Sequence, residues 1–258
     1  MADFVNKVVI VTGASSGIGA GTAEFLAKQG AWLVLVGRNE ENLKSVAAKC
    51  PPTHGAPQPL QIVADVTIEA DAKRIIDTTI EKFQKLNVLV NNAGILKRGT
   101  IETSTLEDYD TVMNVNVRSI FHLTQLAVPH LIATKGNVVN VSSVNGMRSF
   151  PGVLAYNMSK AALDQLTQCV ALELADRGIR VNSVNPGVIV TNIHKRDGMD
   201  EAAYAAFLEH SKSTHALGRA GNTIEVAESI AFLASERASF ITGAILPVDG
   251  GRHSMCPR

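Results

Sequence analysis

Val8-Val9-Ile10-Val11-Thr12-Gly13-Ala14-Ser15-Ser16-Gly17-Ile18-Gly19 is the stretch on which the reading of this chain turns. Four β-branched apolar residues in succession suit a strand covered on both faces. The glycines that follow suit a tight turn into a helix starting near Ile18. Glycine lets the backbone turn sharply and come close to a pyrophosphate, which the positive end of a helix attracts. Gly13, Ser15, Ser16, Gly17, Ile18 and Gly19 are therefore candidate nucleotide-binding residues. Their spacing is Gly-x-x-x-Gly-x-Gly, not the commoner Gly-x-Gly-x-x-Gly, so the argument rests on the turn's place directly after the first strand.

Six more short apolar runs follow, at 33–36, 60–63, 88–90, 138–141, 181–184 and 244–248. Helical patterns separate them, at 18–29, 40–49, 69–85, 106–133, 155–175 and 224–234. The alternation predicts one α/β domain over 1–258, a doubly wound, Rossmann-type fold with a seven-stranded parallel sheet flanked by helices. Two stretches break the rhythm. Residues 50–59 are proline-rich and read as a loop. Residues 192–216 form a longer insertion with one helical stretch near 201–211 and three histidines, His194, His210 and His215, read as surface residues. Lying after the sixth run, the insertion is a candidate substrate lid, with a dimer contact or a mobile connector as the alternatives. Trp32 and Cys169 read as packing residues, Cys169 as a small core residue.

Composition narrows the function classes. Lys+Arg and Asp+Glu are equal at 24 each, which argues against a nucleic-acid partner held through phosphates. The three cysteines are scattered, which fits neither a disulfide framework nor a metal site. Residues 1–7 lead into the first run without signal-peptide organisation. No apolar run approaches the roughly 18–20 residues of a membrane span. The last residues, Ser254-Met255-Cys256-Pro257-Arg258, match no peroxisomal or ER address. A cytoplasmic protein is expected.

The second run ends Val36-Gly37-Arg38-Asn39, where an acidic residue would normally bind ribose hydroxyls. A carboxylate there repels a 2′-phosphate, whereas a guanidinium grips one through charge-assisted bonds. Arg38 therefore predicts NADP(H) as the preferred cofactor, with NAD(H) possible. Further on, Tyr156 follows Ser143 by thirteen residues and precedes Lys160 by four. Residues i and i+4 share a helix face, so the ammonium is expected to lower the phenol pKa from its reference near ~10. Such a tyrosine exchanges a proton with a substrate oxygen near neutral pH, and Ser143 would hold that oxygen.

With Asn91-Asn92-Ala93-Gly94 after the fourth run, residues 7–251 resemble a short-chain dehydrogenase/reductase of single-domain type. The likeness is to carbonyl reductases similar to 3-oxoacyl-carrier-protein reductases. The resemblance implies that Asp65-Val66 borders the adenine and that Asn92, Ala93 and Gly94 support the sheet and touch the cofactor. It implies a catalytic Asn in Val115-Asn116-Val117-Arg118-Ser119-Ile120-Phe121, with Asn116 the match and Asn114 a near miss. Ser143, Tyr156 and Lys160 complete the tetrad. In Asn185-Pro186-Gly187-Val188-Ile189-Val190-Thr191, the Pro186 and Gly187 segment with Ile189 and Thr191 would hold the nicotinamide carboxamide.

The reaction implied needs no metal. Ser143 polarises a carbonyl, Tyr156 donates the proton, Lys160 tunes Tyr156 and binds ribose, and Asn116 anchors a water linking Lys160 to solvent. Met147, Phe150, Val153, Tyr204 and Phe207, with Ile95, Leu96, Val144 and Ile193, are the expected pocket walls, and their apolar character suits a lipophilic ketone or aldehyde. The resemblance also implies a homotetramer built on the helices near 106–133 and 155–175, with the C-terminal tail near a neighbour's pocket. Two alternatives stand beside this reading: an NAD-linked alcohol or steroid dehydrogenase working oxidatively, and a nucleotide-binding protein without catalysis.

Overall fold

A computed structural model describes residues 3–256. Met1, Ala2, Pro257 and Arg258, which belong to the terminal stretches read for targeting signals, lie outside the described residues. The chain runs β1 (Val8–Thr12), α1 (Gly17–Lys28), β2 (Trp32–Gly37), α2 (Glu40–Ala48), β3 (Leu60–Val63), α3 (Glu69–Phe83), β4 (Val88–Asn91) and α4 (Leu106–Met113). It continues with α5 (Ser119–Thr134), β5 (Asn137–Val141), α6 (Val144–Met147), α7 (Leu154–Leu174), β6 (Arg180–Pro186), α8 (Ile193–Arg196), α9 (Glu201–Thr214), α10 (Thr223–Ala234) and β7 (Ile245–Val248).

The seven strands form one parallel sheet in the order β3-β2-β1-β4-β5-β6-β7. Alternate residues of each strand face opposite helical layers, so both faces must be apolar. Val9, Val11, Leu33, Leu35, Val88 and Val90 pack under α1, α2 and α10. Val8, Ile10, Val34, Val36, Leu89 and Val138 pack under α3, α5 and α7. Strand order reverses between β1 and β4, and the crevice above their carboxyl ends is where ligands bind in such sheets. The domain is single, and none of its described helices is long and apolar enough to cross a membrane.

Three departures from the sequence reading have local causes. The single helix expected at 106–133 is two helices joined by a π-helical turn, Asn114–Arg118. One extra residue per turn swings Asn116 inward, and it is fully buried. Cys169 is exposed. The buried face of α7 runs through Tyr156, Ser159, Lys160, Leu163, Thr167, Ala171 and Leu174, and position 169 falls on the opposite side of that 3.6-residue stripe. His215 is buried at 3% exposure instead of lying on the surface. Trp32 packs as expected, 5.8 Å from the Phe83 ring and under the Lys85 ammonium at 4.7 Å.

Candidate active site

A cavity of about 630 Å³ opens above the carboxyl ends of the strands. Its floor is the β1–α1 turn. Gly13 and Gly17 adopt φ +63° and +56°, a region that side chains disfavour. At Gly19 a Cβ would sit 2.4 Å from the Gly13 carbonyl and 2.5 Å from Asn92 Nδ2, so helix and loop approach too closely for any side chain. The α1 N-terminus begins at Ser16 without a side-chain cap, leaving its N–H groups facing the cavity.

The turn is held from β4. Asn92 Nδ2 donates to the carbonyls of Thr12 (2.8 Å) and Gly13 (3.3 Å). The N–H groups of Asn92 and Ala93 both donate to Thr12 Oγ1, at 2.9 and 3.0 Å. Gly13, Ser15, Ser16, Gly17, Ile18, Arg38, Asp65, Val66, Asn92, Ala93 and Gly94 line the cavity, as do Pro186, Gly187, Ile189 and Thr191. Gly19 lies behind it. Arg38 is largely exposed at the rim, 3.6 Å from the Asp65 carboxylate. Burial acts to raise the Asp65 pKa, but hydrogen bonds from Thr67 and the Arg38 charge outweigh it and hold the carboxyl below its ordinary value.

Ser143 ends the strand region with its hydroxyl accepting from Asn145 N, 3.2 Å away. Ser142, facing the other way, donates to the Lys160 carbonyl at 3.3 Å. Tyr156 and Lys160 project from the first turns of α7 into the same cavity as Ser143. The expected lowering of the Tyr156 pKa is not found. Burial raises it above the ordinary phenol value, and the hydrogen bond with Ser143 opposes that only in part. The Lys160 ammonium stands 5.6 Å from the ring centroid and donates to the Val141 carbonyl at 2.9 Å instead of reaching the phenol oxygen. Burial pushes the Lys160 pKa down to about 8, so the amine is itself poorly placed to hold a phenolate.

Asn116, and not Asn114, joins this group. Its Oδ1 accepts from Ile95 N (2.9 Å), and its Nδ2 donates to Ile95 O (2.9 Å) and Ser159 Oγ (3.0 Å). The side chain is thus committed to tying the loop after β4 to α7, beside Lys160. Of the expected pocket walls, Phe150, Val153, Phe207, Ile95, Leu96, Val144 and Ile193 line the cavity. Met147 and Tyr204 do not. Met147 is 40% exposed outside it, and Tyr204 is buried, its hydroxyl donating to Thr191 O (2.8 Å) and accepting from Thr191 N (3.2 Å). A phenol spent on both backbone groups of Thr191 fixes the segment after β6 instead of facing the cavity.

Two residues escaped the sequence reading, Asp164 and Arg252, and a third, His215, was placed on the surface. Asp164, one turn past Lys160 on the buried face of α7, receives Asn185 Nδ2 at 2.9 Å, and that amide also donates to the Ser143 carbonyl at 2.8 Å. An acid four residues after Lys160 on an apolar helix face was the available signal. His215 accepts from Val188 N through Nε2 (3.1 Å) and bonds Ser211 O through Nδ1 (2.9 Å). Burial is the main reason its pKa lies below the usual histidine value. Arg252, just past the carboxyl end of β7, lines the cavity, where the strand-end rule would have placed it.

A glycine cradle, an open helix end, a phenol and an ammonium in one crevice suit an oxidoreductase that uses a nicotinamide nucleotide on CH–OH or C=O groups. The comparisons name the family. A family model described as enoyl-(acyl carrier protein) reductase matches residues 13–253. The chain is 39% identical to the 3-oxoacyl-[acyl-carrier-protein] reductase of Thermotoga maritima, over 95% of this chain and 97% of that one. A short-chain dehydrogenase/reductase of unknown function from Caenorhabditis elegans, solved with cofactor, superposes with a TM-score of 0.92 at 37% identity, covering 98% and 97% of the two chains. A 3-ketoacyl-(acyl-carrier-protein) reductase from Brucella melitensis, solved with NADH, gives 0.87 at 33% identity over 96% and 99%. This chain belongs to the short-chain dehydrogenase/reductase family.

Proposed function

We propose that the protein is an NADP(H)-dependent reductase of a lipophilic ketone or aldehyde. The observation that carries this reading is the convergence of Ser143, Tyr156 and Lys160 on the cavity that the glycine turn floors. When bound, a reduced nicotinamide supplies the hydride to the carbonyl carbon. The residues do the rest. Gly13, Gly17 and the open end of α1 hold phosphate, and Thr191, fixed by Tyr204, holds the nicotinamide side. Ser143 Oγ hydrogen-bonds the carbonyl oxygen where negative charge develops. Tyr156 Oη gives that oxygen its proton and is reprotonated from solvent. Burial raises the Tyr156 pKa and keeps it in the phenol form, the form a proton donor needs. Lys160 supplies positive charge and a hydrogen-bond donor beside Tyr156, and Asn116 positions the Ile95 loop next to it. The 192–216 segment acts as the lid.

Arg38 at the rim of β2, with no carboxylate at the strand end, supports NADP(H). Asp65 beside it, and the NADH bound in the Brucella relative, favour NAD(H) as the second reading. The two are separated by kcat/KM for NADPH against NADH over a panel of ketones and aldehydes, with Tyr156→Phe as control. Equal constants remove the NADP(H) preference, and turnover surviving in Tyr156→Phe removes the proton-donor role. We also propose a homotetramer. Exposed Leu106 and Phe121 on α4 and α5, and Met158 and Leu172 on α7, support contact along those helices, which sedimentation measures directly.

A further inference from the structure

Where Phe150, the 192–216 segment and the residues after β7 meet, the cavity wall carries a guanidinium that makes no ion pair within 4 Å among the described residues. Arg252 begins a one-turn 3₁₀ helix, Arg252–Ser254, and its guanidinium lies over the Phe150 ring, 4.5 Å from the centroid. Its Nε is buried and has no hydrogen-bond partner among the described residues. Asp249, the acid whose charge acts on it, is held by other donors. Asp249 accepts from Gly251 N (3.0 Å), His253 N (2.6 Å) and His253 Nδ1 (2.9 Å). Asp197 on the lid is paired with Arg98 at 3.5 Å.

The rest of this wall adds no negative charge. His194 stacks on Phe207 with ring centroids 4.5 Å apart. Its pKa is depressed by burial first and then by the charges of Arg98 and Arg252, so it is neutral at pH 7. A half-buried guanidinium loses hydration, and the ring face beneath it offsets only part of that loss. Its remaining donors match a planar carboxylate, which accepts two parallel N–H bonds. A guanidinium with no ion-pair partner among the described residues suits one further negative charge.

We propose that Arg252 is a substrate-recognition residue, and that the carbonyl substrate is a keto acid or aldehyde acid: an apolar body with a carboxylate that Arg252 binds while the carbonyl lies between Ser143 and Tyr156. The proposal rests on the reductase reading of the same cavity and narrows its substrate class. It leaves Phe150 and Phe207 to hold the apolar body and gives the tail after β7 a place in specificity.

Two arms test it. In the first, calorimetry follows 4-phenylbutanoate and its uncharged amide binding to the protein, with no turnover required. The acid is expected to bind about 10- to 100-fold more tightly than the amide, as a charge-assisted pair implies. Arg252→Met, which keeps length and loses charge, abolishes the difference, and Arg252→Lys retains part of it. In the second, kcat/KM with NADPH for 4-acetylbenzoate against 4-acetylbenzamide shows the same preference and the same loss. An acid that binds no better than the amide overturns the inference, as does an Arg252→Met variant that weakens both equally. Arg252-dependent acid binding without Tyr156-dependent reduction of any carbonyl would instead overturn the reductase reading and leave the acid subsite standing.

Discussion

The half of the cavity around the glycine turn and the half beside residues 192–216 are built by different means. Around the glycine turn, polar groups are committed to one another: Asn92 to Thr12 and Gly13, Thr12 to two backbone N–H groups, Asn116 to Ile95 and Ser159. Backbone approach there is so close that Gly19 has no room for a Cβ. Toward the lid, contacts are ion pairs and stacked rings that cross between separate segments: Arg98 to Asp197, Arg252 on Phe150, and Arg196 donating to Ser16 Oγ at 2.8 Å. In the first half short side chains tie one main-chain segment closely to another. The second relies more on long side chains that reach between segments, the kind of contact that a change of substrate can remodel.

The largest break in this comparison should come from Tyr156→Phe. Turnover falls by about 10²–10⁴-fold or more, the usual worth of a positioned general acid, while NADPH affinity by fluorescence titration stays near wild type. Lys160→Met should affect both halves. It weakens the nucleotide by about tenfold, the scale of a hydrogen bond to a charged group, and removes the inflection of kcat expected near pH 8, where this amine loses its proton. An unchanged pH profile would deny Lys160 its electrostatic role.

Gly19→Ala tests the first half alone. The added methyl meets the Gly13 carbonyl, which cannot yield without moving main chain, and Asn92 Nδ2, which is tied to Thr12 and Gly13. A loss of about 1–3 kcal/mol in chemical denaturation, with weakened nucleotide binding, is expected from such overpacking. Full stability in this variant would mean that the turn is softer than its contacts imply. Tyr204→Phe is smaller again. Removing one hydroxyl leaves Thr191 N–H and C=O without their bridge, costing about 1 kcal/mol and raising KM for the nucleotide more than it lowers kcat.

The same division governs how much was legible in the sequence. Val8–Thr12 and the turn after it are local patterns, and strand, glycine cradle and helix followed from neighbours in the chain. Tyr156 and Lys160 share a face by helix periodicity, so their meeting could be foreseen. What each does to the other's pKa could not, because that depends on burial and on Val141 O capturing the ammonium, a contact 19 residues away. Met147 and Tyr204 are apolar or aromatic residues in the right segments, yet one faces solvent and the other turns to Thr191. Arg252 and Asp164 were missed for a related reason: their partners come from elsewhere in the sequence, Phe150 in one case and Asn185 in the other.

His215 joins the two halves, and acid should separate them. Its Nε2 receives the Val188 N–H, and Gly187 is a glycine because a Cβ there would lie 2.8 Å from that nitrogen and 2.9 Å from Asp249 Cα. Protonation would set an N–H against the Val188 N–H in the segment that carries Thr191. Because the folded pKa lies below the ordinary 6.5, the unfolded chain takes up the proton first as pH falls. The stability that His215 contributes is therefore full above about pH 6.5 and drains away as pH drops below it toward the folded pKa. The thermal midpoint of the wild type should decline over that window. His194, whose folded pKa is lowered too, adds to the slope from the lid side, so His215→Gln flattens the decline in part and His194→Gln removes a further share. A slope that His215→Gln leaves unchanged would mean that the Pro186–Thr191 strap does not depend on the neutral imidazole. A slope carried wholly by His215 would place the acid-sensitive joint under the nicotinamide strap, and not in the lid.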